Sequence, residues 1–333
     1  MATTDTHPLV STDWLADRLD DPDLRIVDAS WYLPAAGRDG RAEFEAGHIP
    51  GAVFWDIDAI ADPSSGLPHM MPAATDFARH MEALGIGSET MVVLYDALGL
   101  FTAARPWWML RAMGHEAVAI LDGGLPKWKA ENRPLSTDPA ADRNVTFSPN
   151  PKNYFFHDIN YLKNLLQSKE KQIIDARSAS RFAGAEPEPR PGCRAGHIPG
   201  SLNVHYDSLL DPKDKTVLAG DELKALFERS GVDLDRPVVT TCGSGVTACM
   251  LALGLHLIGK QDVAVYDGSW SEWGTRRSIT PRPSSRRRWR ISANGGNIAG
   301  SWATTPMDGR APRRMRRSRS PWRLCSAATG RWR

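Results

Sequence analysis

Four short motifs occur twice in this chain, in the same order and at nearly constant spacing, and no other feature restricts its possible folds as strongly. Ile26-Val27-Asp28-Ala29 is echoed by Ile173-Ile174-Asp175-Ala176, and Gly47-His48-Ile49-Pro50-Gly51 recurs unchanged as Gly196-His197-Ile198-Pro199-Gly200. Val92-Val93-Leu94-Tyr95-Asp96 answers to Val238-Val239-Thr240-Thr241-Cys242, and Asp122-Gly123-Gly124 with Trp128 answers to Asp267-Gly268-Ser269 with Trp273. The offsets of 147, 149, 146 and 145 residues mark a duplicated domain. Short aliphatic runs alternate in each copy with helical stretches such as Thr75 to Leu84 and Asp221 to Ser230. Each copy is therefore expected to be an α/β unit with a mostly parallel sheet flanked by helices. The expected boundaries are 9–133 and 157–275. Between them, 134–156 is polar, with prolines at 134, 139, 149 and 151, and reads as a linker laid along the surface.

Parallel sheets place ligand sites at the carboxyl ends of their strands, and the second copy has a cysteine there. Val238 to Thr241 reads as a buried strand, the residues from Cys242 to Val246 as a tight loop, and Thr247 to Ile258 as a helix almost without charge. The first N–H groups of such a helix have no intrahelical partner. Converging on the Cys242 sulfur, they form an anion-binding nest that favours the nucleophilic thiolate. Gly243 and Gly245 let the backbone curl around the sulfur without Cβ clashes. The plain alternative is an inert buried thiol. The first copy carries Asp96 at the matching place, and a carboxylate cannot accept sulfur.

The loop Cys242-Gly243-Ser244-Gly245-Val246-Thr247-Ala248-Cys249 resembles the active-site loop of the rhodaneses, a family of sulfurtransferases, in the form found in two-domain members that use 3-mercaptopyruvate. The resemblance covers roughly residues 9 to 275. It implies two tandem rhodanese-like domains, the first catalytically silent. It also implies transfer of sulfane sulfur through a Cys242 persulfide to cyanide or a thiol such as thioredoxin, with release of pyruvate; no cofactor or metal is expected, since the sequence has no Gly-rich phosphate loop or metal cluster. In such enzymes a serine at the place of Ser244 is grouped with a histidine and an aspartate of the first domain, for which His48 and Asp39 stand at the matching positions. His197 occupies the same motif in the second copy, so a structural role for both histidines stays open. The donor is an anionic 2-keto acid and calls for cations that can grip a carboxylate by a planar fork; Arg181 and Arg190 are the candidates. Arg177 is expected to pair within its own loop. The backbone of Gly243, Gly245, Val246 and Thr247 completes the expected binding set. A thiosulfate:cyanide enzyme is the nearest alternative, but such members carry basic residues directly after the cysteine, where Gly243 and Ser244 are neutral. A cysteine phosphatase needs arginine at the sixth position after the cysteine, and Ala248 stands there.

Composition sets further bounds. The 333 residues, 41% hydrophobic and 24% charged, suit a globular protein of two domains. The longest weakly polar run, Val246 to Ile258, is short of the ~20 residues of a membrane span, and the amino terminus has no secretory pattern. Cys193, Cys242, Cys249 and Cys325 have no metal-ligand spacing and are too sparse for a disulfide framework, which fits a reducing cytoplasm. Cys249 reads as core and Cys193 as a bystander. From Gly274 onward there are 16 arginines, no lysine and one acid, Asp308, against 25 basic and 38 acidic groups before it. This basic tail, about 276–333, lacks hydrophobic periodicity and is expected to be disordered or translated out of frame. A tail that recruits nucleic acid is the competing possibility.

Overall fold

The computed structural model describes residues 7–275; the arginine-rich tail called from position 276 lies outside them. The strands are β1 (Leu9–Val10), β2 (Leu24–Asp28), β3 (Ala52–Phe54), β4 (Met91–Tyr95) and β5 (Val118–Leu121), then β6 (Phe156–His157), β7 (Gln172–Asp175), β8 (Leu202–Asn203), β9 (Val238–Thr241) and β10 (Val263–Tyr266). The helices of the first half are α1 (Thr12–Ala16), α2 (Gly40–Ala46), α3 (Ala74–Ala83), α4 (Ala104–Ala112) and α5 (Gly124–Ala130). Those of the second are α6 (Ile159–Ser168), α7 (Ala179–Ala183), α8 (Gly220–Arg229), α9 (Ala248–Leu257) and α10 (Ser269–Trp273).

Each half forms a five-stranded sheet, in the orders β1-β5-β4-β2-β3 and β6-β10-β9-β7-β8. Every strand pairing is parallel, and equivalent strands hold equivalent places. The register sets Asp28 beside Tyr95 in one sheet and Asp175 beside Thr241 in the other. Parallel strands joined through helices are covered on both faces, so β2 and β9 are buried along their whole length. Neither shows the alternation of exposed polar and buried apolar residues, for the same reason; Arg25 and Asp28 of β2 and Thr240 and Thr241 of β9 are themselves buried.

The halves meet through their equivalent helices. α4 packs against α9, with the Trp107 and His256 rings 5.5 Å apart. Ala248 to Leu255 are all buried, as expected of a helix that is apolar around its whole circumference. Trp107, Trp108 and Met109 belong to the same continuous core as Met250 and Leu253, so one apolar interior runs through both sheets. The segment expected as a surface linker carries no helix or long strand but is anchored more firmly than its composition suggests. Phe147 and Phe155 are each only 4% exposed, and Asn150 and Lys152 donate backbone hydrogen bonds of 2.7 Å to Met113 and Ala112 at the end of α4. Among the described residues, no helix is long and apolar enough to cross a membrane.

Candidate active site

Cys242 directly follows β9 at the carboxyl end of the sheet and is 2% exposed, at the edge of a cavity of about 190 Å³. The loop is held from α10. Cys242 N–H donates to Ser269 Oγ at 3.2 Å, Trp270 N–H donates to the Cys242 carbonyl at 2.9 Å, and Ser271 donates to the Gly243 carbonyl through both N–H (2.8 Å) and Oγ (2.7 Å). Gly243, Ser244, Val246 and Thr247 line the cavity; Gly245 does not. The Gly245 φ is +79°, and a Cβ there would stand 2.9 Å from the Asp267 carbonyl, so this position shapes the loop from behind.

Comparison of the two halves shows how the two loops differ in what their N–H groups hold. In the first domain the Asp96 carboxylate turns into its own loop. It accepts backbone hydrogen bonds from Leu98 at 2.9 Å, Phe101 and Thr102 at 2.7 Å and Ala103 at 2.9 Å. Ser244, Thr247 and Ala248 are the counterparts of the first three, 146 residues on. Their N–H groups donate to no acceptor among the described residues. Equivalent N–H groups are thus taken up by a carboxylate in one domain and left without an acceptor in the loop that follows Cys242 in the other.

Arg181 and Arg190 both line the cavity. A Cβ on Gly243 would lie 3.2 Å from Arg181 Nη2 and 3.8 Å from Arg190 Nη1, so both guanidinium groups reach the cysteine loop. They differ in what they already hold. Arg181 donates to Glu188 at 2.5 Å, and the other Glu188 oxygen pairs at 2.6 Å with Arg177. The buried Arg177 also pairs with Asp175 at 2.6 Å. The guanidinium of Arg190 has no hydrogen-bond or ion-pair partner among the described residues. Burial lowers its pKa, and the nearby Cys242 pulls in the opposite direction.

The expected partners of Ser244 require correction. Ser244 Oγ is 3.0 Å from His69 Nδ1, and His69 Nε2 is 3.1 Å from Asp58 Oδ1. Trp31 Nε1 donates to the other Asp58 oxygen at 3.0 Å and packs edge-on against the His69 ring. His69 is 2% exposed. Burial lowers its pKa below the ordinary 6.5, while Asp58 acts in the opposite direction. The hydrogen bond from His69 lowers the Asp58 pKa. His48 instead bonds the Phe44 carbonyl at 2.8 Å and the Asp138 carbonyl at 3.1 Å, stacked on the Phe44 ring. His197 does the same with Phe182, at 2.8 Å to its carbonyl and 3.9 Å between ring centroids. Both GHIPG histidines therefore pin the helix that precedes them, and Asp39 caps α2 by accepting from Arg41 and Ala42 N–H. Motif position misled because a residue that repeats in both halves serves what both halves share, the fold. His69 has Lys215 as its counterpart, and that mismatch is the signal the sequence held.

Cys249 donates to the Gly245 carbonyl, and full burial pushes its thiol up to about 12. Cys193 lines the cavity, with its pKa raised by burial. Trp31 and Phe101 from the first domain and His205 and Tyr206 from the second also line the wall, with the Phe101 and Tyr206 rings 5.2 Å apart. Sequence periodicity could not find them, because they converge only when the domains pack together. Among the described residues, no group of three or more His, Cys, Asp and Glu side chains could hold a metal ion.

The rhodanese-like domain family model matches residues 11–131 and again 158–276. Human 3-mercaptopyruvate sulfurtransferase is 47% identical over 274 residues, covering 80% of this chain and 92% of its own. The mitochondrial thiosulfate/3-mercaptopyruvate sulfurtransferase 1 of Arabidopsis thaliana is 42% identical over 295 residues, covering 82% and 78%. The crystal structure of SseA from Escherichia coli, described as showing the rhodanese fold of 3-mercaptopyruvate sulfotransferases, superposes with a TM-score of 0.73 at 39% identity, covering 80% of this chain and 99% of its own. With the duplicated sheets, the cysteine loop at one carboxyl end and two matches that together span most of the chain, this protein belongs to the rhodanese-like domain family, carrying two such domains in tandem.

Proposed function

We propose that this protein is a sulfurtransferase that takes sulfur from 3-mercaptopyruvate onto Cys242 as a persulfide, releases pyruvate, and passes the sulfane sulfur to a thiol or to cyanide. The observation that carries this is the pair of cradles. N–H groups that hold the Asp96 carboxylate in the first domain have counterparts without an acceptor in the loop after Cys242, and a persulfide anion on that residue is the group they would stabilise. With its cradle filled by its own carboxylate, the first domain is silent in sulfur transfer and instead supplies His69, Asp58 and Trp31 to the site.

In the first half-reaction the Cys242 thiolate attacks the donor sulfur, forming the S–S bond while the C–S bond breaks and its electron pair passes to the adjacent carbon of the enolate. The donor thiol proton moves through Ser244 and His69 to that carbon, giving pyruvate. Arg190 and Arg181 grip the carboxylate and carbonyl oxygens. An acceptor thiol, thioredoxin among them, then attacks the outer sulfur and restores the Cys242 thiolate. The sparse cysteines fit a cytoplasmic setting for this chemistry.

Charge bears on the donor. Glu188 offsets Arg181, leaving Arg190 as the cavity cation with no ion-pair partner among the described residues. One uncompensated charge suits a monoanionic keto acid better than dianionic thiosulfate. Steady-state turnover with each donor tests this, with kcat/KM expected to favour 3-mercaptopyruvate by about tenfold or more, a difference of ~1.4 kcal/mol. A preference for thiosulfate would reverse the donor assignment. Arg190→Ala should raise the KM for mercaptopyruvate about ten- to a hundredfold, as for a lost charged hydrogen bond of ~1.5–3 kcal/mol. Arg181→Ala should do less, because part of its charge is already spent on Glu188. An unchanged KM in both variants would remove them from the donor site.

A further inference from the structure

The two halves are related by the duplication, so any contact made in only one direction across their interface stands out. Each domain sends a strap over the other's active loop. In the first strap His69 has φ +60°, and its counterpart 146 residues on, Lys215, has φ +63°. Left-handed backbone at two non-glycine residues costs about 1–3 kcal/mol each and needs support. The straps are tied down alike. Met71 N–H donates to Asp267 at 2.8 Å, and the equivalent Val217 N–H donates to Asp122 at 2.8 Å. Asp122 and Asp267 are themselves counterparts, at the ends of β5 and β10.

The fastening of the two straps differs at Arg105. Arg105 on α4 is fully buried. It donates through Nη2 to the His69 carbonyl at 2.5 Å and to Asp267 Oδ1 at 2.8 Å, and through Nη1 to the Gly245 carbonyl at 3.4 Å. Its Nε has no partner, and the Phe156 ring lies against the guanidinium. One side chain thus binds the turn that carries His69, the cysteine loop that carries Ser244, and the aspartate that ties strap to loop. The counterpart of Arg105 on α9 is Leu251, buried in the core. The Lys215 strap keeps the same left-handed turn and the same aspartate bond without any arginine. The backbone arrangement alone therefore does not require this buried charge, and its presence on the side of Cys242 calls for a different account.

We propose that Arg105, paired with Asp267, is a positioning residue that fixes the His69 imidazole against Ser244, so that proton transfer depends on the packing of the first domain against the cysteine loop. This rests on the sulfurtransferase function proposed above. A base displaced by ~1 Å from its partner loses about a hundredfold in rate, whereas donor binding through Arg190 and Arg181 is untouched.

The test compares Arg105→Met with the double variant Arg105→Met/Asp267→Asn in the full-length protein. The single change strands a buried carboxylate and should lower Tm. The double change removes both charges and should restore much of that Tm. If Arg105 positions His69, kcat for pyruvate formation stays about ten- to a hundredfold down in both variants while KM moves less than about twofold. The His69 ring signal in nitrogen-detected NMR, assigned by its loss in His69→Ala, shifts in both as its bond to Ser244 is lost. Recovery of kcat together with Tm in the double variant would overturn the proposal, leaving the pair a structural ion pair only. The NMR arm is independent of turnover. If the wild type fails to use mercaptopyruvate, a shifted His69 signal still supports the positioning role, and an unchanged one overturns it.

Discussion

Cys242→Ser is expected to abolish both pyruvate formation from 3-mercaptopyruvate and the gain of one sulfur atom in intact mass after exposure to the donor. A hydroxyl in the same cradle cannot hold a persulfide, and at neutral pH it is no substitute for a thiolate nucleophile. The loss should be total rather than graded, because in the proposed route both half-reactions pass through the same sulfur. Asp96→Ala is the control from the other half. Its carboxylate accepts from four N–H groups, of which those of Thr102 and Ala103 are buried, and leaving buried donors unpaired costs about 1–3 kcal/mol each. A marked fall in Tm is therefore expected, with persulfide formation kept in the folded protein. Turnover persisting in Cys242→Ser would sink the assignment of the nucleophile. Loss of sulfur transfer in folded Asp96→Ala would mean that the first domain takes part in the chemistry.

His69→Ala is expected to lower kcat about 10²- to 10⁴-fold, the range for removal of a general acid–base group, while His48→Ala lowers Tm and leaves kcat within about threefold. Burial holds the His69 pKa below 6.5. A base must be neutral to accept a proton, so activity should persist as pH falls through 6.5 and be lost only as it passes the lower pKa of the folded protein. Asp58 raises that pKa against the larger effect of burial. In Asp58→Asn the acid limb of the kcat profile should therefore move to still lower pH, while kcat itself drops because the imidazolium formed in the reaction loses its counter-charge. If His48→Ala proved as damaging to kcat as His69→Ala, the relay assigned to Ser244, His69 and Asp58 would be wrong.

These two histidines show where the sequence is readable and where it is not. The repeated motifs were enough to expect two α/β units, because hydrophobic periodicity and turn chemistry are local and strands β4 and β9 declare themselves by their own residues. The cysteine loop was equally legible, since the strand, the glycines and the apolar helix that shape it are contiguous. Arg181 and Arg190 follow within one segment after β7, and both reach the cavity. His69, by contrast, lies 175 positions from Ser244, in a strap between Asp62 and Pro72 with no periodicity of its own.

The sequence by itself determined the duplication, the parallel α/β architecture, the position of Cys242 at a strand's carboxyl end and the presence of an acid in its place in the first copy. Only the tertiary structure decided which histidine meets Ser244, that the Asp96 carboxylate fills its own cradle, and that Arg105 spans both domains beneath the cysteine loop. The physical reason is range. Elements and loops are set by interactions within a few residues of chain, whereas the proposed catalytic grouping is set by the packing of α4 on α9, which brings residues from two halves into one buried polar cluster that no local pattern encodes.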